Sequence, residues 1–126
     1  RGLDIVLNIA AGARFYGEQG DLMELLGNLL DNACKWARKR VRFELERDPE
    51  ALRITVEDDG AGVSAAQLAQ LAQRGVRIDQ EVDGHGLGLA ISQDIARLYG
   101  GGLVFDRAPE LGGLRVRARL RLARPD

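Results

Sequence analysis

The sequence predicts an α+β protein: a two-layer α/β sandwich in which a mixed, mostly antiparallel sheet is covered by helices on one face. Three observations lead there. Residues 21–37 and 87–99 carry apolar side chains at helical spacing. Residues 3–9, 41–47, 52–57, 103–106 and 114–122 carry the alternation of strands. Two pairs of these strands are joined by short turn-forming segments, which makes them locally antiparallel.

Taken in order, residues 3–9 alternate in part and read as a strand. The small residues Ala10, Ala11 and Gly12 then turn the chain into a short extended piece, 13–16. In the helix over 21–37, Leu22, Leu25, Leu26, Leu29, Ala33 and Trp36 recur with the helical repeat and are expected to face a core. The strands 41–47 and 52–57 are joined by Asp48-Pro49-Glu50-Ala51, whose turn chemistry makes them a hairpin. Ser64 is placed to cap a short helix ending near residue 71.

Residues 72–86 lose all periodicity and are polar and glycine-bearing, the character of a loop that either has a function or is disordered. A second helix over 87–99 places Leu87, Ala90, Ile91, Ile95 and Leu98 on one face, and Gly100-Gly101-Gly102 stops it. The strands 103–106 and 114–122 flank a turn at 108–113. Strict apolar/basic alternation from Leu114 to Leu122 predicts one dry face.

The 126 residues suit a single domain spanning 1–126. Lys and Arg total 18 against 19 Asp and Glu, so there is no positive excess to neutralise a nucleic-acid backbone; a small anion held by local groups stays open. Cys34 is the single cysteine and His85 the single histidine, which excludes an intrachain disulfide and a Cys/His zinc site and fits a reducing cytosol. No apolar run approaches the ~20 residues of a membrane span, and the start of the chain lacks a signal-peptide core.

Three features carry possible chemistry. Glu24, Asn28, Asn32 and Lys35 fall on one stripe of the first helix. Such a stripe is ordinarily a solvated face. Two mid-helix asparagines argue otherwise, since Lys or Glu serves solvent better, whereas Asn offers an oxygen and two N–H donors to a hydrated Mg²⁺ ion or a nucleotide edge. In Glu57-Asp58-Asp59-Gly60-Ala61-Gly62 a strand ends in carboxylates and glycines. This is either a plain turn or a place where a carboxylate accepts from an exocyclic amine while Gly60 and Gly62 let backbone approach a flat ring. In Gly84-His85-Gly86-Leu87-Gly88-Leu89 glycines lead into a helix whose first N–H groups favour phosphate, with a simple loop as the alternative.

Neither the P-loop nor the dinucleotide-binding fingerprint fits this third segment. His85 reads as a loop residue that hydrogen-bonds a phosphate rather than as a phosphoacceptor. Arg77 reads as a lid residue on a triphosphate, and Arg74 stays open between that role and a surface charge.

In this order the three features resemble the GHKL ATPase superfamily, and within it the catalytic domain of sensor histidine kinases. Gly27-Asn28-Leu29-Leu30-Asp31-Asn32-Ala33-Cys34-Lys35-Trp36 is similar to the N box, Asp58-Asp59-Gly60-Ala61-Gly62 to the G1 box, and Gly84-His85-Gly86-Leu87-Gly88-Leu89 to the G2 box. The wording is similar in particular to PhoQ-type members, and the match runs from about residue 3 to residue 122.

The resemblance implies the histidine kinase ATPase fold, with ATP lying between the N-box helix, the G1 strand end and a mobile lid. It implies that Asn28 coordinates Mg²⁺, that Asn32 contacts nucleotide or ion, and that Lys35 and Arg77 engage phosphates. Asp58 would accept from the adenine amine beside Gly60 and Gly62. Trp36, where tyrosine is common, would offer a flat wall, and Gly84, His85, Gly86, Leu87 and Gly88 would bring lid backbone to the phosphates. Asn28, Lys35 and Arg77 would be the catalytic set.

The implied reaction is phosphoryl transfer from ATP to a histidine on a separate dimerisation and phosphotransfer domain of the parent kinase, with a response regulator downstream. No nucleic-acid partner is implied. The chain itself would be monomeric and cytoplasmic, its parent in the bacterial inner membrane. There are three departures: Ala72 stands where an aromatic F-box residue is common, Val82 or its neighbours where a second lid arginine is found, and His85 in place of a glutamine. They imply a differently organised lid and a site sensitive to pH near neutrality. Two other functions fit the same residues. One is ATP hydrolysis with Glu24, one turn before Asn28, as the base. The other is a non-catalytic nucleotide-sensing module.

Overall fold

A strand with apolar and charged residues in alternation covers a core with one face and meets water with the other. That pattern organises the protein. The computed structural model describes residues 3–9, 19–61, 66 and 86–121. Its elements are β1 (Asp4–Ile9), α1 (Gln19–Trp36), β2 (Arg40–Arg47), β3 (Ala51–Asp58), α2 (Gly86–Leu98), β4 (Gly102–Arg107) and β5 (Leu114–Arg121). The expected short helix from Ser64 lies outside the described residues apart from Ala66, as does the loop expected at 72–86 apart from Gly86.

The described strands form one sheet in the order β1-β2-β3-β5-β4. β1 runs parallel to β2 and every other pairing is antiparallel, which gives the expected mixed, mostly antiparallel sheet. Register aligns the apolar positions into rows that cross it. Phe43, Val56, Val116 and Phe105 make one row, and Leu45, Ile54, Ala118 and Leu103 the next. Both helices pack on this face, α1 supplying Leu25, Leu29 and Ala33 and α2 supplying Leu89, Ile95 and Ala96 to the core.

On the opposite face the corresponding row is charged: Arg42, Glu57, Arg115 and Asp106. Arg115 forks onto Asp106 with two bonds of 2.7 Å, which holds the Asp106 carboxyl below the ordinary aspartate range.

Local chemistry fixes the turns. In the β2–β3 hairpin, Asp48 Oδ1 accepts from the N–H groups of Glu50 and Ala51, both at 2.8 Å. α2 ends where Gly100 takes φ 76°, with Gly101 N–H donating to Ala96 O at 2.9 Å and Gly100 N–H to Arg97 O at 3.0 Å. This is the left-handed helix stop that favours glycine.

Two of the expected core residues face outward. Trp36 is 37% exposed and Leu98 is 69% exposed. The cause is the same in each. The buried line along α1 steps by four through Leu25, Leu29 and Ala33, so the next position it buries is Ala37, not Trp36. On α2 the line passes from Ile91 through Ile95 to Tyr99, which turns Leu98 to solvent.

Candidate functional site

The second half of α1, the end of β3 and the first turn of α2 carry the described candidate residues. On α1 the polar stripe is divided. Glu24 and Lys35 are exposed, while Asn28 and Asn32 are half-buried. The side-chain amide nitrogen of Asn28 is buried and, among the described residues, has no hydrogen-bond partner. A buried, unsatisfied amide is costly, about 1–3 kcal/mol, and a solvated face does not explain it. Because an amide's O and N exchange places on rotation, the orphaned position suits either a donor to a phosphate oxygen or an acceptor facing a cation. At the end of α1, Lys35 Nζ lies 5.6 Å from the centroid of the Trp36 ring.

The adjacent aspartates ending β3 do different things. Asp59 Oδ1 accepts from the N–H groups of Arg38 at 2.8 Å and Lys39 at 3.0 Å, so it pins the segment that leaves α1. Burial opposes its ionisation, but the backbone donors of Lys39, Arg40 and Arg38 together hold its carboxyl below the ordinary range. Asp58 points to the core side and is 2% exposed. Its Oδ1 accepts from Gly60 N–H at 2.9 Å and Leu114 N–H at 3.3 Å. Among the described residues its Oδ2 accepts no hydrogen bond. Burial pushes the Asp58 carboxyl above the ordinary range, against the pull of those two donors.

Gly60 joins the two elements. A Cβ at this position would stand 2.2 Å from the carbonyl oxygen of Trp36 and 3.1 Å from Asp58 Oδ1, so any side chain here would drive β3 and α1 apart. Sequence reasoning missed two contributors, Gly113 and Leu114, which approach Asp58 from the β4–β5 turn. The Gly112-Gly113 pair was the available signal and suggests only a turn when read locally.

α2 packs along α1, and Tyr99 Oη at its far end donates to Asp21 Oδ2 near the start of α1 at 2.6 Å. The end of α2 therefore lies beside the start of α1, and Gly86, Leu87 and Gly88 occupy the first turn of α2. The first N–H groups of a helix have no intrahelical partner and favour an anion. Gly62, Arg74, Arg77, Gly84 and His85 lie outside the described residues, as do Ala72 and Val82.

Residues 17–124 match the model of the histidine kinase-, DNA gyrase B- and HSP90-like ATPases. The sensor protein kinase CarS of Pseudomonas aeruginosa is 45% identical over 95% of this chain, and the sensor protein PhoQ of Escherichia coli K12 is 39% identical over 92%. The chain spans 27% and 24% of the length of these two relatives. Among solved structures, the mycobacterial sensor histidine kinase MprB superposes with a TM-score of 0.78 at 26% identity, covering 94% of this chain and 81% of that one. The catalytic domain of the histidine kinase ThkA gives 0.80 over 95% of this chain and 80% of that one, and at 18% identity it speaks for the fold alone.

The chain belongs to the histidine kinase-, DNA gyrase B- and HSP90-like ATPase family and is similar to the corresponding part of sensor histidine kinases. Among the described residues no helix is long and apolar enough to cross a membrane.

Proposed function

We propose that the chain binds ATP with Mg²⁺ and passes the γ-phosphoryl group to a histidine on a separate dimerisation and phosphoacceptor domain, with a response regulator receiving it afterwards. The observation that carries this reading is Asp58: buried, with Oδ1 saturated by two backbone donors, and Oδ2 left to accept the 6-amino group of adenine. The unsatisfied amide of Asn28 supports the placement of the phosphates and cation beside α1.

In this reading Asn28 holds the cation, Asn32 contacts nucleotide or ion, and Lys35 leaves the Trp36 ring for a phosphate oxygen. Trp36 walls the base, with Gly60 and Gly62 beside it. Gly84, His85, Gly86, Leu87 and Gly88 line the phosphates with backbone donors, and Arg77 closes over them. Bound there, Mg²⁺ would neutralise charge on the β- and γ-phosphates. The chain's own contribution is positioning and charge neutralisation: the bridging oxygen leaves with ADP as a nitrogen–phosphorus bond forms on the acceptor imidazole. The parent would sit in the bacterial inner membrane with this domain on the cytoplasmic side, monomeric when isolated.

Calorimetric titration with a non-hydrolysable ATP analogue tests this. Asp58→Ala should weaken binding about tenfold, or roughly 1.4 kcal/mol, and Asn28→Ala should do so chiefly in the presence of Mg²⁺. Unchanged affinity in both variants overturns the site. Glu24, exposed one turn before Asn28, supports hydrolysis as a second reading; a steady-state ATPase rate abolished by Glu24→Ala would favour it over transfer.

A further inference from the structure

A carboxylate has two equivalent oxygens, and a side chain that can turn presents either one. We propose that the β4–β5 turn, through Gly113, is a positioning element that fixes the Asp58 carboxylate and thereby sets the discrimination between purines that carry a 6-amino group and purines that lack it. This rests on the assignment of Asp58 to the base.

The grip comes from a distant part of the chain and uses both backbone and side chain. Gly113 N–H donates to the backbone oxygen of Asp58 at 3.1 Å, and the next N–H, that of Leu114, donates to Asp58 Oδ1 at 3.3 Å. Both bonds require residue 113 to have no side chain. A Cβ there would stand 2.1 Å from Asp58 Oδ1 and 2.3 Å from Asp58 O, so the three nearest atoms to it all belong to Asp58. Two of those atoms are backbone, so a methyl group cannot be accommodated by a rotamer change alone; the start of β5 must withdraw from the end of β3.

The turn that delivers Gly113 is itself closed. Ala108 N–H donates to Gly113 O at 2.8 Å and Gly112 N–H to Ala108 O at 2.9 Å, with Ala108 buried. Arg42 spans from Glu110 in this turn, at 3.4 Å, to Glu57, the residue before Asp58, at 3.5 Å. Because Glu110 is largely exposed, that bridge is a weak brace and the backbone bonds dominate. With Oδ1 held by two donors, rotation of the carboxylate is opposed and Oδ2 stays oriented for a donor from the ligand. A positioned acceptor discriminates against a ligand lacking the donor, while a loosely held one does not.

The test compares ATP with purine riboside triphosphate, which lacks the 6-amino group, on the 126-residue chain by calorimetry, with a cooperative thermal transition confirming that each variant is folded. The wild type is expected to favour ATP by about tenfold or more, the scale of a hydrogen bond to a charged group. Gly113→Ala should bring that ratio close to one while changing affinity for the 6-unsubstituted analogue by no more than about twofold. In the Asp58→Ala background it should leave ATP affinity unaltered, as expected when two residues act through one interaction.

If Gly113→Ala weakens both nucleotides by the same factor, keeps the wild-type ratio, or lowers ATP affinity further in Asp58→Ala, the positioning role is wrong while base recognition by Asp58 stands. Equal binding of the two nucleotides by the wild type would remove base recognition itself, and the positioning role with it. If Gly113→Ala does not fold, replacing the Leu114 peptide N–H by an ester oxygen through chemical ligation removes the donor without adding bulk. The same fall in the ratio is then expected, and a retained ratio overturns the inference.

Discussion

Gly60 is pressed against the carbonyl oxygen of Trp36, where a Cβ would stand only 2.2 Å away. The contact joins the last turn of the asparagine-bearing helix to the end of the strand that bears Asp58. Gly60→Ala is therefore expected to destabilise the protein by about 1–3 kcal/mol, the range for forcing a methyl group into a packed site. It should also weaken ATP-analogue binding, because both walls of the site move. Urea unfolding and calorimetry on the same preparation measure the two effects.

Asp59 and Asp58 should respond to opposite tests. Asp59→Ala removes the acceptor for the N–H groups of Arg38 and Lys39. Since water can reach these groups, the loss should be about 0.5–1.5 kcal/mol, with Asp59→Asn recovering part of it in urea unfolding.

At Asp58 the sign with pH is reversed. Burial raises its native carboxyl above the ordinary value of 3.8, so the folded protein binds this proton more tightly than the unfolded chain does. Its favourable contribution is present below that ordinary value and is lost as pH rises through the elevated native one. Asp58→Asn, which does not ionise, should consequently raise the unfolding midpoint of the nucleotide-free protein at neutral pH, and the gain should shrink as pH falls toward 3.8. Nucleotide affinity should fall in the same variant. Thermal melts across pH, with and without ATP analogue, separate the two.

Helix faces can be tested directly. Ile95→Ala should cost about 2–4 kcal/mol as a buried truncation, whereas Leu98→Lys, at a position 69% exposed, should change stability by no more than about 0.5 kcal/mol. Chemical denaturation distinguishes these outcomes.

Much of the fold was legible because it is written in short-range pattern. The alternation from Leu114 onward placed Val116, Ala118 and Leu120 in the core and their arginine neighbours outside, and the glycines after Leu98 ended the helix. What escaped depends on contacts across the chain. Leu98 and Trp36 fit an apolar face on a helical wheel, yet burial passes to Tyr99 and Ala37, a choice made by the sheet beneath them. Nothing local separates Asp58 from Asp59; alternation sends one to the core and leaves the other to hold the segment after α1. Gly113 acts on a residue 55 positions earlier, a relation that exists only once β5 lies beside β3.

β1 is tied to the sheet differently from the other strands. Among the described residues it pairs with β2 alone, and Ile5, Val6 and Leu7 are all substantially exposed, while the Asp4–Arg40 ion pair is a solvent-exposed 3.9 Å contact. Its parallel pairing also has to span the whole of α1 before it can form. Backbone amides of β1 should exchange with deuterium well before those of β3 and β5, because its opening leaves the core rows undisturbed. The same imbalance predicts that it joins last during folding, after the two hairpins, so that a Leu7→Ala substitution should speed unfolding and leave the folding rate nearly unchanged in stopped-flow measurements.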